Sequence, residues 1–248
     1  MKVIVVSSYD ELSISAAEVI EHQVRVNPFS VLGLATGSTP IGTYRTLVKK
    51  HLEEKLDFSR VTTFNLDEYC NIEPSNPQSY AYFMKENFFS KVNIADHMTN
   101  LPESHAEDIE AVCMAYENKI SSRGGIDLQL LGIGRNGHIG FNEPGDSFKS
   151  DTHRIKLDER TIKDNARFFK SIDDVPRYAI SMGIKTIFSA KKILLIASGV
   201  DKAEIIYEMI HGQVRPAVPA TILQMHPDVT VILDKDAAAL LERRRTFN

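Results

Sequence analysis

Six short runs of apolar, largely β-branched residues recur along the chain, at positions 3–6, 30–35, 61–66, 126–133, 192–197 and 229–233. Each is apolar nearly throughout instead of alternating, as parallel strands covered on both faces require. Between the runs, apolar residues return with the helical period over positions 11–26, 41–54, 80–89, 106–121, 184–190, 202–211 and 235–243. Strands that alternate with helices predict an α/β fold with a mostly parallel, doubly wound sheet and right-handed crossovers. No internal repeat, low-complexity tract or linker interrupts the pattern, so a single domain over positions 1–248 is expected.

Composition narrows the class. The chain has 248 residues, 43% of them hydrophobic and 25% charged, which is ordinary globular material with enough length for a sizeable core. The formal net charge is -4 and no basic stripe is present, which argues against a nucleic-acid partner. Two cysteines, Cys70 and Cys113, form no C-x-x-C pair, so neither a disulfide framework nor a cysteine zinc site is expected. The apolar start "VIVV" is too short for a signal segment, and no run of membrane-spanning length occurs. The expectation is a soluble cytoplasmic protein with no membrane partner.

In doubly wound sheets, ligands bind outside the carboxyl ends of the strands. Four predicted strand exits carry unusual residues. In "GLATGSTPIGTY", the run at 30–35 leads through Gly37, Ser38 and Thr39 into a helix, with Thr39 as expected N-cap and Pro40 as first helical residue. It reads either as a plain capped turn or as an anion site of free N–H groups. In "TTFNLDEYC", Asp67 stands where a strand-end base would stand; the bland alternative is that it caps the next element, with Glu68 exposed. An exposed Asp, with a pKa of about 3.9, is a weak base, and burial would strengthen it.

The third exit, "GIGRNGHIGFNEPG", contains a G-x-G-x-x-G match. The dinucleotide reading fails because the residues after it cannot begin a regular helix. A zinc reading fails because His138 and Glu143 offer only two ligands. What remains is a stiff loop presenting Asn136, His138 and Glu143, in which a carboxylate would orient an imidazole suited to proton transfer. The fourth exit, "IASGVDKAE", puts Lys202 at a helix start, as a phosphate ligand or as a solvated surface lysine. Positions 160–184, polar and aromatic with a weak period, read as a lid segment, from which Arg167 would reach a phosphate. An anion cradle, cationic side chains, a strand-end Asp and a His–Glu–Asn cluster, with no metal set, describe a cofactor-free enzyme that moves protons on a small phosphorylated metabolite.

The stretches "LGLATGSTPIGTY", "TTFNLDEYC", "LLGIGRNGHIGFNEPG" and "NARFF", in this order, resemble the glucosamine-6-phosphate deaminase (isomerase) family. The resemblance implies a Rossmann-like three-layer sandwich. It also implies conversion of glucosamine 6-phosphate and water to fructose 6-phosphate and ammonia without metal or organic cofactor. It implies Asp67 as the acceptor that moves hydrogen between C2 and C1, His138 as the acid–base that opens the ring, and Glu143 and Asn136 as its partners. Gly37, Ser38, Thr39, Arg167 and Lys202 match the family's phosphate-binding positions. Allosteric members carry Asp at the place of Asn136 and a Ser, Arg, Lys, Thr set where this chain has Asp146, His153, Ile155 and Lys156, and they extend further at the C-terminus. A short, unregulated form is therefore expected, a monomer first and a homo-oligomer second. Two rival readings remain: a 6-phosphogluconolactonase, which needs no C2 base, and the sugar-phosphate sensing domain of a transcription regulator, which would carry a DNA-binding region ahead of the first strand.

Overall fold

The computed structural model describes residues 1–166 and 169–241, apart from the side chains of Arg160 and Asp164. Seven strands form one parallel sheet: β1 (Lys2–Val6), β2 (Val31–Leu34), β3 (Thr62–Asn65), β5 (Thr99–Asn100), β6 (Leu128–Leu131), β9 (Ile193–Ala197) and β10 (Val229–Asp234), in the spatial order β1-β10-β9-β6-β2-β3-β5. Neighbours run parallel throughout, with Leu32 opposite Leu128 at the centre and Val3 opposite Val231 at one edge. From β2 the chain winds outward through β3 and β5, returns to β6 on the other side of β2, and winds outward again through β9 and β10. The β2–β6 pair is thus the point where the winding reverses, the usual place for a ligand cleft.

The six predicted runs are all strands. In four of them the continuous apolar character follows from burial on both faces, since every residue of β2, β3, β6 and β9 is buried, whereas β1, at the sheet edge, leaves Val3 and Val5 exposed. The helices are α1 (Tyr9–Val26), α2 (Ile41–Glu54), α3 (Tyr80–Asn87), α4 (Ile109–Ser122), α5 (Glu159–Asn165), α6 (Ile184–Phe188) and α7 (Ala203–His211). Capping sets several starts. Ser8 accepts from Glu11 N, so α1 begins before the first periodic residue, and Asp108 accepts from Ala111 N, so α4 begins later than position 106. Of the helix expected over 235–243, residues 235–238 form turns and 239–241 are helical, and the rest lies outside the described residues.

Two features depart from the sequence pattern. The first is a three-stranded antiparallel sheet, β4 (Asp67–Tyr69), β8 (Tyr178–Ser181) and β7 (His153–Lys156), in the order β4-β8-β7. It takes Asp67 into a strand, where it lies opposite Ser181, and it converts the end of the 160–184 segment into sheet. A second small core, with Tyr69, Phe141, Leu157, Ile162, Val175 and Ala179, packs α5 beneath it. The second departure concerns α2. Pro40, not Thr39, is the cap residue, and no side chain of its own segment caps the helix. The Tyr9 hydroxyl of α1 does so: it accepts from Gly42 N at 2.9 Å and donates to the Thr39 carbonyl at 3.0 Å. That spares the Thr39 hydroxyl from capping.

Candidate functional site

A cleft of about 470 Å³ opens at the carboxyl ends of β2, β3, β6 and β9. All four exits singled out in the sequence converge on it: Gly37, Ser38 and Thr39; Asp67; Asn136 and His138; and Lys202. Arg167 lies outside the described residues.

The β2 exit forms one wall. Gly37 has φ of +97°, a conformation that an L side chain rarely adopts, and the turn it makes brings Ser38 and Thr39 to the cleft. The turn is tied down from outside by Tyr9.

Asp67 stands at the junction of the two sheets and is 7% exposed. Its carboxyl receives no hydrogen bond from any described residue. Burial, with a smaller contribution from the neighbouring Glu68, pushes its pKa up to about 8. Glu68 points elsewhere. It is buried, and its two carboxyl oxygens accept from the backbone N–H groups of Tyr69, Tyr80 and Ala81 at 2.9, 3.0 and 2.9 Å. Glu68 therefore caps α3, the role the bland reading gave to Asp67, and is not exposed.

The β6 exit makes no helix, as expected. The loop closes on itself through Gly134 N to the His138 carbonyl, and it is anchored to the small sheet through Phe141 N to Ser181 Oγ and Asn142 Nδ2 to the Met182 carbonyl. A Cβ on Gly134 would stand 2.4 to 2.6 Å from Cε1, Nε2 and Cδ2 of His138, so the imidazole lies flat against a backbone that only glycine provides. His138 Nδ1 is 3.2 Å from Glu143 Oε2. Glu143 also accepts from Asn136 Nδ2 at 2.7 Å and from Thr161 Oγ1 at 2.5 Å. Burial alone would raise the Glu143 pKa, but the bonds from His138, Thr161 and Asn136 and the imidazole's charge outweigh it and hold the carboxyl below its ordinary value. An ionised carboxylate only accepts, so Nδ1 is the donor and Nε2 is the nitrogen left for exchange with a ligand.

The β9 exit closes the cleft. Lys202 caps α7 after a 3₁₀ turn, Val200–Lys202, and its Nζ donates to the Ile133 carbonyl at 2.8 Å, stitching this exit to that of β6. Arg135 Nε and Asp201 Oδ2, 2.7 Å apart, make a second stitch. Arg135, Tyr80, Thr161 and Asn165 also line the cleft, and sequence reasoning missed all four. Arg135 was discoverable as the one cation inside the glycine-rich loop, whereas the other three reach the site only through tertiary packing. Among the described residues no three His, Cys, Asp or Glu side chains gather to hold a metal ion, and no helix is long and apolar enough to cross a membrane.

A doubly wound α/β sheet with a buried carboxyl, an oriented imidazole and a glycine turn at its switch point defines a class: α/β proteins with a polar cleft at the strand ends. The family described as glucosamine-6-phosphate isomerases/6-phosphogluconolactonase matches residues 7–232, and the chain belongs to it. It is 54% identical to a glucosamine-6-phosphate deaminase of Thermoanaerobacter pseudethanolicus over 97% of this chain and 95% of that one. A solved monomeric glucosamine-6-phosphate deaminase superposes with a TM-score of 0.95 at 48% identity, covering 97% of this chain and all 100% of the other. A 6-phosphogluconolactonase from Trypanosoma brucei shares the fold, with a TM-score of 0.77 at 20% identity over 97% of this chain and 98% of that one.

Proposed function

We propose that this protein is a glucosamine-6-phosphate deaminase that converts glucosamine 6-phosphate and water to fructose 6-phosphate and ammonia. The observation that carries the reading is Asp67, a buried carboxyl with a pKa of about 8 in the same cleft as the His138–Glu143 pair. Relatives at more than half identity over nearly the whole chain bear the same name.

The chemistry needs two proton-transfer groups. The C2 hydrogen becomes acidic only once the ring opens to a carbonyl or iminium form. His138, oriented through Nδ1, exchanges a proton at Nε2 with the ring oxygen and the anomeric hydroxyl. Asp67, ionised, then takes the C2 proton and returns it to C1, which leaves an imine at C2; water adds to that imine, the C2–N bond breaks, and ammonia departs to leave the C2 ketone of fructose 6-phosphate. A carboxyl poised near 8 is a far stronger base than an exposed one, and a positioned base contributes about 10²- to 10⁴-fold. The phosphate docks on the Gly37–Thr39 turn with Lys202 and Arg167, anchoring the sugar away from the reacting carbons. Of the segment read as a lid, helix α5 borders the cleft through Thr161 and Asn165. The proposal includes a monomeric state, supported by the solved monomeric relative, and the cytoplasmic location expected from the sequence.

The test is ammonia release from glucosamine 6-phosphate by wild type and Asp67→Asn. Wild type should release ammonia, and the variant should lose at least about 100-fold in kcat. A wild type that releases none overturns the activity, and a fully active variant overturns Asp67 as base. Hydrolysis of 6-phosphogluconolactone without ammonia release would favour the lactonase reading. Sedimentation at twice the chain mass would overturn the monomer.

A further inference from the structure

Helix α5 belongs to no strand exit, yet two of its residues line the cleft. Thr161 and Asn165 are four residues apart and so share one helical face. Thr161 Oγ1 donates to Glu143 Oε1 at 2.5 Å. This is the sole bond to that oxygen among the described residues, because Asn136 and His138 both use Oε2. One turn later, Asn165 Nδ2 donates to the Tyr69 hydroxyl at 2.8 Å. Tyr69 is the last residue of β4, the strand that begins with Asp67, and its ring packs against Tyr80 and Phe141 beside the cleft. Buried Ile162 seats the helix in the small core, which fixes the direction of that polar face.

We propose that Thr161 and Asn165 are positioning residues that fasten α5 to both proton-transfer groups, Thr161 through Glu143 to His138 and Asn165 through Tyr69 to the strand that carries Asp67. Neither residue exchanges a proton with the sugar. Thr161 fixes the plane of the Glu143 carboxylate, and that plane fixes the imidazole, whose alignment with the ring oxygen tolerates little error. Asn165 holds the aromatic wall against which β4 sets the Asp67 carboxyl. One helix thus sets the relative placement of acid–base and base. The inference rests on the deaminase reading, and its test separates the two.

The variants are Thr161→Val, Thr161→Ser, Asn165→Ala, Tyr69→Phe and the double Asn165→Ala/Tyr69→Phe, each assayed by ammonia release with thermal melts alongside. Absence of ammonia from wild type would sink the deaminase reading itself. Given an active wild type, Thr161→Val should lose about 10- to 100-fold in kcat with KM changed less than about threefold. Thr161→Ser, which keeps the hydroxyl, should restore most of it. Loss of one donor to an ionised carboxylate should also move the low-pH limb of kcat upward in Thr161→Val. A threonine that only fills space would give the opposite pattern, with valine tolerated, serine worse and the limb unmoved. Asn165→Ala and Tyr69→Phe should each lower kcat about equally, and the double variant should lose no more than either single. Additive losses, or wild-type kcat in Thr161→Val, overturn the proposal.

Discussion

Single side chains here carry opposed obligations to stability and chemistry, and Asp67 is the clearest case. Its pKa of about 8 stands well above the ordinary 3.8, so between these values the folded chain holds a proton that the unfolded chain has released. Stability must then fall as pH rises from about 4 to about 8 and level off above that. Glu143 acts in the reverse sense: its lowered pKa adds stability that is lost as the solution becomes acidic. Asp67→Asn isolates the first effect, because the amide is isosteric and does not titrate. Denaturant unfolding across pH 4 to 9 should show the variant close to wild type at the acid end and clearly more stable above pH 8. Parallel stability curves for the two proteins would refute the buried, ionisable Asp67. The residue that weakens the fold at alkaline pH is the one that the proposed mechanism uses as a base once it ionises.

At the scale of elements, the site is assembled by contacts between segments distant in sequence. The Tyr9 hydroxyl is the example: from the start of α1 it caps α2 and holds the Ser38 and Thr39 carbonyls. Tyr9→Phe should cost about 1 kcal/mol in stability, as loss of a cap does. It should raise KM for the sugar phosphate several-fold while kcat changes little, since in the proposed docking the turn binds without reacting. An unchanged KM would detach Tyr9 from the ligand turn. The same example shows what could be read in advance. Most of the apolar runs were legible because strands covered on both faces need no polar partner face, while β1 kept its apolar run even though it leaves Val3 and Val5 exposed. Asp67, Asn136, His138 and Glu143 were legible because polar residues clustered where apolar runs stopped. The small sheet was not: β4 is the polar triplet Asp67–Tyr69, and the antiparallel partner it depends on lies more than a hundred residues away. Tyr9, Thr161 and Asn165 were hidden for a related reason, since no local pattern says which distant atom a hydroxyl or amide will meet. Nor could sequence show that Glu68 would accept from the α3 terminus, leaving Asp67 without a donor among the described residues.

At the scale of the molecule, the cleft straddles two sheets of unequal size. The seven-stranded sheet provides the Gly37–Thr39 turn, the His138 loop and Lys202, while the three-stranded sheet provides Asp67 and carries α5. A seven-stranded sheet with a continuous core opens only with global unfolding, whereas a small sheet on a satellite core opens at lower cost. In the proposed docking, a sugar phosphate spanning the cleft grips both. Amide hydrogen exchange should therefore slow on ligand binding chiefly in β4, β7, β8 and α5, with β6 and β9 already protected without ligand. Equal slowing in all of these elements would show that the two sheets open as one. In the proposed docking, the seam between the sheets makes the ligand a rivet: the protein would be most nearly a single rigid body while it holds its substrate, and each release of product would return the smaller sheet to its own, looser breathing.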